Sequence, residues 1–491
     1  MVLLLFLLAV VLIGGVWAAR VGSRLGFPVL VGFVGIGLLL GPNVWDIAPQ
    51  VSHKLAEDIG YVALILILFE GGLHTSFGRI RRALVPSISL ATLGVLISSA
   101  VMTALAYWLL QIPFYTAALF GVAVSSTDAA AVFSMLGGKS LQRNLVDVLE
   151  VESGTNDPMT FFLTLTLIGW AAHGIGSPGH VALQMVGTFA LQMGVGLVVG
   201  LAVGYAASWT NQNIKLDTGG LYPTMSLAFA FLAFAVAAAL QGSGFLAVYV
   251  ASVVIGNRRL EHRHSILRFH EGLAWTMQIL MFVVLGLQIS LHLLPPILLP
   301  GVGLAIGALF IARPAAVWLS TIGTGFTWKE KHFLSWAGLR GAVPIVLALT
   351  ALLAPINTPY TLLGAVFFVV IASTLAQGLT VGWFADKLDL TDPSPSENLL
   401  ELVAIARESA CILPVEITEE SRFVRHKMVD IPFPPNTLCY AVIRGERVIV
   451  PRGATTLRPD DHLLILSDRE QIAKLTTLFA NERVGSPEML P

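Results

Sequence analysis

The sequence predicts an all-α polytopic membrane bundle of about thirteen spans followed by a small cytoplasmic α+β domain. Three observations predict it. Of the 491 residues, 55% are hydrophobic and only 12% are charged, which is far more apolar surface than a soluble domain of this length needs. Up to residue 386 the apolar windows recur at about the 20-residue length a helix needs to cross the hydrocarbon core. Basic residues also fall almost entirely in alternate loops. With the N-terminus outside, the inward loops hold Arg20, Arg24, the Arg79 to Arg82 cluster, Lys139, Arg143, Lys215, Arg258, Arg259, Arg263, Arg268, Lys329 and Lys331, whereas the outward loops hold only Lys54. One missed or extra span would scramble that positive-inside asymmetry. The C-terminus is therefore expected in the cytoplasm.

In chain order, the apolar windows centre near Val10, Gly35, Leu66, Leu96, Val124, Thr160, Val195, Phe231, Val248, Met281, Leu309, Val343 and Val370. The first, VLLLFLLAVVLIGGVWAA, has no basic n-region and runs into Arg20 and Arg24, so it reads as a span and not as a signal peptide. The seventh holds Gly196, Gly200 and Gly204 at four-residue spacing, which permits close helix contact and reads as internal packing in preference to a dimer seam. The transmembrane domain is expected over 1–386, a linker over 387–400 that includes TDPSPSEN at 391–398, and a soluble module over 401–491.

In that module CYAVIRGERVIVPRGATTL alternates like strands around a turn at Arg444, Gly445 and Glu446, DDHLLILS reads as another strand and REQIAKLTTLFA as a short helix. It has no glycine-rich strand-to-helix turn, so no dinucleotide fold and no cofactor are indicated. Cys411 and Cys439 both lie in this polar part, which excludes a disulfide framework for the fold. A net charge of −1 argues against nucleic acid as a partner.

The informative residues are the polar ones deep in the spans: Glu70, Thr127, Asp128, Glu152, Asn156, Asp157, Arg313 and Arg340. Each ionisable group at the bilayer centre costs roughly 2.5–3.5 kcal/mol on insertion scales, so such residues face a cavity or one another and mark function. In VESGTNDPMT, residues 151–160, Glu152 stacks with Asn156 and Ser153 with Asp157 on adjoining faces of a helix. Pro158 cannot donate to the carbonyl of Gly154, which leaves a free backbone oxygen near two carboxylates and a hydroxyl. Oxygen ligands of this kind hold hard cations. A purely structural reading of the same residues makes Glu152 and Asp157 buried partners of Arg340 and Arg313, and Glu70 with Arg313 is a further candidate for a structural ion pair.

Two spans look interrupted at mid-membrane: AVSSTDAAAV, with Ser125 to Asp128 in its middle, and WAGLRGAVPIV, with Gly338, Arg340, Gly341 and Pro344. A break leaves half-helix ends carrying about half a unit charge each. Asp128 suits the positive N-terminal ends and Arg340 the negative C-terminal ends. With two inverted repeats of six spans joined by the seventh, the breaks fall in the fifth span of each half, and paired broken helices point to a midplane transport site.

STDAAAV followed by ESGTNDP, together with FEGGL at 69–73 and GLRGAV at 338–343, resembles the bacterial cation–proton antiporters of the electroneutral NhaP type, and among them the potassium–proton antiporters also called cell-volume regulation protein A. The module, through ESRFVRHKMVDIPFP and RGERVIVPRGATTLRPDDHLLILSD, is similar to the C-terminal half of the regulator-of-potassium-conductance domain. The resemblance implies that Asp157 carries the cation and the proton, with Asn156 beside it. It also implies that Glu152, Ser153 and Thr127 belong to the site, with a monovalent cation held by Asp157, Ser153 and Thr127, and that Asp128 and Arg340 are the charges at the crossing of the broken helices. A homodimer in the bacterial inner membrane, exchanging K⁺ or Na⁺ for H⁺, follows from the same likeness, as does a small molecule or nucleotide as ligand of the C-terminal module.

Two readings from other classes compete. A potassium channel with a regulatory domain would explain the C-terminus, but no TVGYG-like filter is present. An intramembrane aspartyl protease would explain Asp128 and Asp157, but the tyrosine–aspartate and glycine-rich aspartate motifs of such enzymes surround neither residue. A transporter, not an enzyme, is expected.

Overall fold

The computed structural model describes residues 2–391 apart from 26, 43, 49–50, 137–138, 174–177, 217, 355 and 357, and residues 410–489 apart from 419–420, 435–436, 445–446, 469–470, 480–482 and 485–487. The chain forms two compact units, Met1–Asp392 and Pro393–Pro491. Most of the expected linker, and the turn residues Gly445 and Glu446, lie outside the described residues.

The first unit is helical: α1 (Val2–Leu25), α2 (Val29–Leu40), α3 (His53–His74), α4 (Phe77–Ser89), α5 (Val95–Leu110), α6 (Phe114–Ala123), α7 (Ala129–Met135), α8 (Arg143–His173), α9 (Pro178–Asn213), α10 (Leu221–Ala239), α11 (Gly244–Gly256), α12 (Arg263–Gln288), α13 (Pro295–Gly307), α14 (Arg313–Ser320), α15 (Trp328–Trp336), α16 (Val343–Leu352), α17 (Pro359–Gly378) and α18 (Val381–Lys387). Seven helical stretches are long and apolar enough to cross a membrane alone, and four more are apolar but shorter. Adding α3 and α8, whose polar residues dilute their apolar character, and joining the halves of interrupted helices gives thirteen passes among the described residues.

The interruptions repeat. Pass 4 (α4 and α5) and pass 11 (α13 and α14) each contain a π-helical turn, at Leu90–Gly94 and Ala308–Ala312. Pass 5 (α6 and α7) and pass 12 (α15 and α16) each break, and passes 2 and 9 are the short helices α2 and α11. Corresponding passes lie seven apart and so run in opposite directions, which makes the two halves inverted repeats around α9. In pass 11 the cause of the π turn is legible, because Pro314 has no N–H to offer the carbonyl of Phe310.

Packing sorts the passes into two bundles. One is α1, α2, α3 and α9 to α12; the other is α4 to α8 with α13 to α17, and contacts between them run mainly through α3 with α16, α8 with α11, and α2 with α17. The glycine ladder of α9 is used inside the first bundle. A Cβ at Gly196 or Gly200 would stand 2.7 Å from the carbonyls of Ser243 or Ala247, and one at Gly204 would stand 2.8 Å from Val254. This is internal packing of α9 on α11, as the spacing predicts.

The second unit is an antiparallel sheet of β1 (Ala410–Glu416), β2 (Thr437–Arg444), β3 (Arg447–Ile449), β4 (Asp461–Asp468), β5 (Arg483–Val484) and β6 (Glu488–Met489), with the helix α19 (Ile472–Leu478). The strand order is β3-β2-β4-β1-β5, and β6 also pairs with β1. The inward residues Leu413, Val415, Val442, Leu463 and Ile465 meet Leu475 of α19 and Phe479 in one apolar core. Arg444 forks onto Asp461 at 2.7 and 2.8 Å, which pins the turn end of the β2–β3 hairpin to β4. Cys439 is buried in this sheet as a free thiol.

Candidate functional site

The two broken passes meet at their breaks. After α6 the chain is non-helical to Asp128, whose extended backbone and side chain cap α7 by accepting from Ala131 N at 3.1 Å. That cap satisfies a donor no helix turn could reach and suits the positive end of the helix. In the opposing break Leu339 O accepts from Asp128 N at 2.8 Å. Arg340, 2% exposed, donates from Nε to Val124 O at 3.1 Å, at the C-terminal end of α6, and from Nη2 to Ala308 O in the π turn of pass 11 at 3.5 Å. The acid therefore lies at an N-terminal end and the arginine at a C-terminal end. GLRGAV has its glycines for space: a Cβ at Gly341 would run into the Asp128 carboxylate, and one at Gly338 would stand 2.5 Å from Arg313 Nε.

Against this crossing runs α8, which is continuous through Pro158. Its two polar faces do different things. Ser153 and Asp157 line a cavity of about 580 Å³ together with Ser126, Thr127 and Asp128. Asp157 is 4% exposed, and its Oδ1 accepts from Ser126 Oγ at 2.7 Å. Glu70 and His74 of α3, Glu150 of α8 and Glu271 of α12 line the same cavity nearer the surface. The cavity thus runs from partly or fully exposed acidic residues to a buried carboxylate.

Glu152 and Asn156, on the neighbouring face, are not among the cavity's lining. Asn156 donates from Nδ2 to Thr127 Oγ1 at 2.7 Å, tying α8 to the break of pass 5. Glu152 corrects its expectation as a site ligand. Both its oxygens are engaged by Arg313, at 2.5 and 3.0 Å, with both side chains almost wholly buried. The expected pairing of Glu70 with Arg313 is corrected as well. Arg313 follows the π turn of pass 11, packed against Gly338 beside Glu152, while Glu70 near the end of α3 pairs with His74 at 3.1 Å. A buried arginine takes the nearest buried carboxylate in fork geometry, and sequence distance says nothing about which that is.

Ser126, Glu150 and Glu271 are among the cavity residues outside the sequence-based site. Ser126 had a signal in its place within the STD run. Glu150 and Glu271 look in sequence like ordinary loop-proximal charges, and only the packing of α3 against both α8 and α12 brings them to one mouth.

The site is an oxygen-rich pocket with carboxylates at its mouth and base, and no group of three metal-ligating side chains is found among the described residues. Such a pocket admits and holds hard cations. Residues 7–387 match the transmembrane sodium/hydrogen exchanger family and residues 413–480 the TrkA-C domain. The chain belongs to the sodium/hydrogen exchanger family and is a membrane-spanning cation–proton antiporter, a transporter and not an enzyme. It is 36% identical over 462 residues to the K⁺/H⁺ antiporter NhaP2 of Shewanella oneidensis, covering 93% of this chain and 80% of that one. It is 35% identical over 487 residues to the K⁺/H⁺ antiporter NhaP of Alkalimonas amylolytica, covering 97% and 82%. In structure it is similar to the sodium proton antiporter MjNhaP1 of Methanocaldococcus jannaschii, with a TM-score of 0.68 at 24% identity over 79% of this chain and 99% of that one; this likeness concerns the fold.

Proposed function

We propose that the protein exchanges one monovalent cation for one proton by alternating access, with Asp157 as the shared carrier. The observation that carries this reading is the place of Asp157: it is buried, it lines the cavity, and Ser126 is its hydrogen-bond partner there. A carboxylate binds a cation only when ionised, and protonation removes the charge that binds it. If only the occupied, locally neutral forms cross the membrane, the two ions must swap. Ser153 and Thr127 add oxygens for the cation. Asn156 beside the carrier cannot ionise, and Glu152 is neutralised by Arg313, so one carboxylate carries one charge.

The two bundles supply the moving parts. The one with α8 and both breaks carries the site, and the other, with α9 to α12, is the scaffold and the homodimer side. Potassium is the first substrate to test, because the relatives that match most of this chain are named for K⁺/H⁺ exchange; sodium is second, since a probable Na⁺/H⁺ antiporter of Methanocaldococcus jannaschii is 28% identical over 408 residues. The protein resides in a bacterial inner membrane with the N-terminus outside and the TrkA-C module in the cytoplasm, where a small molecule or nucleotide sets its activity.

Voltage tests the stoichiometry. Moving one net charge through 100 mV is worth about 2.3 kcal/mol, so a cycle of two protons per cation would shift its proton end-point by about 0.8 pH unit under that potential. In proteoliposomes with fixed cation gradients and an imposed potential, the end-point is expected to stay where the cation gradient alone puts it. A voltage-dependent end-point would mean a second proton carrier.

A further inference from the structure

Beside the ion cavity lies a second pocket, of about 340 Å³, formed where the end of α3 meets the turn between α11 and α12. Arg258, Arg259 and Arg263 line it, with His74 and Thr75, which line the ion cavity as well. No carboxylate is in its lining, and none of the three arginines has a carboxylate partner among the described residues. Arg263 donates to Gly256 O at 3.2 Å, and the guanidinium of Arg258 lies 4.7 Å from the centre of the Tyr205 ring. The acid of the same turn is taken away from them: Glu261 accepts from Tyr222 OH at 2.9 Å, and its backbone N–H is held by Asn211 Oδ1 at 2.8 Å. The positive charge of the turn is therefore gathered on one pocket, with no carboxylate pairing it there among the described residues.

The floor of the pocket is fixed. Asn257 donates to Thr75 O and accepts from Phe77 N, both at 2.8 Å, and a Cβ at Gly256 would run into the carbonyl of Leu73. Residues 75–77 are also where the chain passes from the bundle of α3 to the bundle of α4. Tyr205 and Trp209, 48% and 64% exposed, mark this level as that of an aromatic interface belt.

We propose that Arg258, Arg259 and Arg263 form a binding site for an anionic phosphate group, from a lipid headgroup or a free phosphoester. Arginine forks match phosphate oxygens, and basic pockets between transmembrane helices take anionic headgroups. Occupied, the site braces the junction from α3 to α4 at the mouth of the ion cavity. This holds whichever residue carries the proton, because binding is read without transport.

The test is the melting temperature of the purified full chain in neutral detergent, titrated separately with short-chain phosphatidylglycerol, inorganic phosphate and phosphatidylcholine. Phosphatidylglycerol, phosphate or both should raise it, identifying the source, while phosphatidylcholine at the same concentration should not. Arg259→Gln with Arg263→Gln should weaken the response at least about tenfold, given roughly fivefold per basic side chain near such a group. The charge-matched control Arg81→Gln with Lys215→Gln should keep it. Native mass spectrometry of the unaltered chain, with phosphatidylglycerol adducts outlasting phosphatidylcholine adducts or phosphate adducts retained, gives the same answer without a variant. An unresponsive unaltered chain, or equal losses in the two double variants, would overturn the proposal.

Discussion

The two carboxylates of ESGTND sit five residues apart on one helix, are both buried, and have different fates. Glu152 meets Arg313 in a two-pronged pair closed off from the cavity, whereas Asp157 faces the cavity with a serine hydroxyl as its partner. Burial is common to both, so burial does not make a carrier. A resident cation makes one carboxylate part of the packing, and the lack of one leaves the other available to ions that come and go.

The largest expected effect separates these two residues. Asp157→Asn, nearly isosteric, should abolish cation-dependent proton movement in proteoliposomes while the protein still folds. Glu152→Gln should instead strand Arg313 and cost about 3–5 kcal/mol of stability, seen as lower yield and melting temperature; the double change Glu152→Gln with Arg313→Met should recover most of that and keep exchange. A stable Glu152→Gln protein that has lost only its transport would make Glu152 a carrier after all.

The next contrast is between the crossing and a surface pair. Arg340→Ala removes the donors to Val124 O and Ala308 O inside the bundle, with a cost of several kcal/mol. Lys329→Ala breaks an exposed bridge to Asp389, worth about 0–1 kcal/mol. Equal, mild losses of folded yield would mean that the crossing does not depend on Arg340.

Much of this comparison was legible in the sequence, for reasons that can be named. The breaks show because serine, threonine, aspartate and glycine at mid-span contradict their apolar flanks, and the inverted repeat follows from counting passes between them. The separate faces of α8 follow from four-residue spacing. What spacing cannot give is the partner across a helix interface. Glu70, Glu152 and Asp157 are all candidate partners of Arg313 in the sequence, and the fold of pass 11 around its π turn makes the choice. The acidic mouth at Glu150 and Glu271 was hidden for the same reason. In the soluble unit, alternation gave the β2–β3 hairpin and β4, while the bulge between Cys439 and Ala441 has no marker in the residues themselves.

The smallest effect lies in that unit. Burial pushes the Cys439 thiol up from the ordinary cysteine range to about 11, so its thiolate is about a hundredfold scarcer at neutral pH than that of an ordinary cysteine. Because folding raises this pKa, the thiol form contributes its stability fully below about pH 9 and loses it as pH rises through about 11. Alkylation of Cys439 in the folded chain, followed by peptide mass spectrometry, should be slow at pH 7–8 and quicken only near pH 11. Labelling as fast as in the denatured chain would place the thiol outside the sheet.

The claim that one carboxylate serves both ions is tested most directly by competition. In proteoliposomes, the cation concentration giving half-maximal exchange should rise about tenfold for each pH unit of acidification across the range where Asp157 is mostly protonated, with the maximal rate at saturating cation unchanged. Half-saturation independent of pH, with only the maximal rate falling, would show that proton and cation bind at separate places and that Asp157 is not their shared carrier.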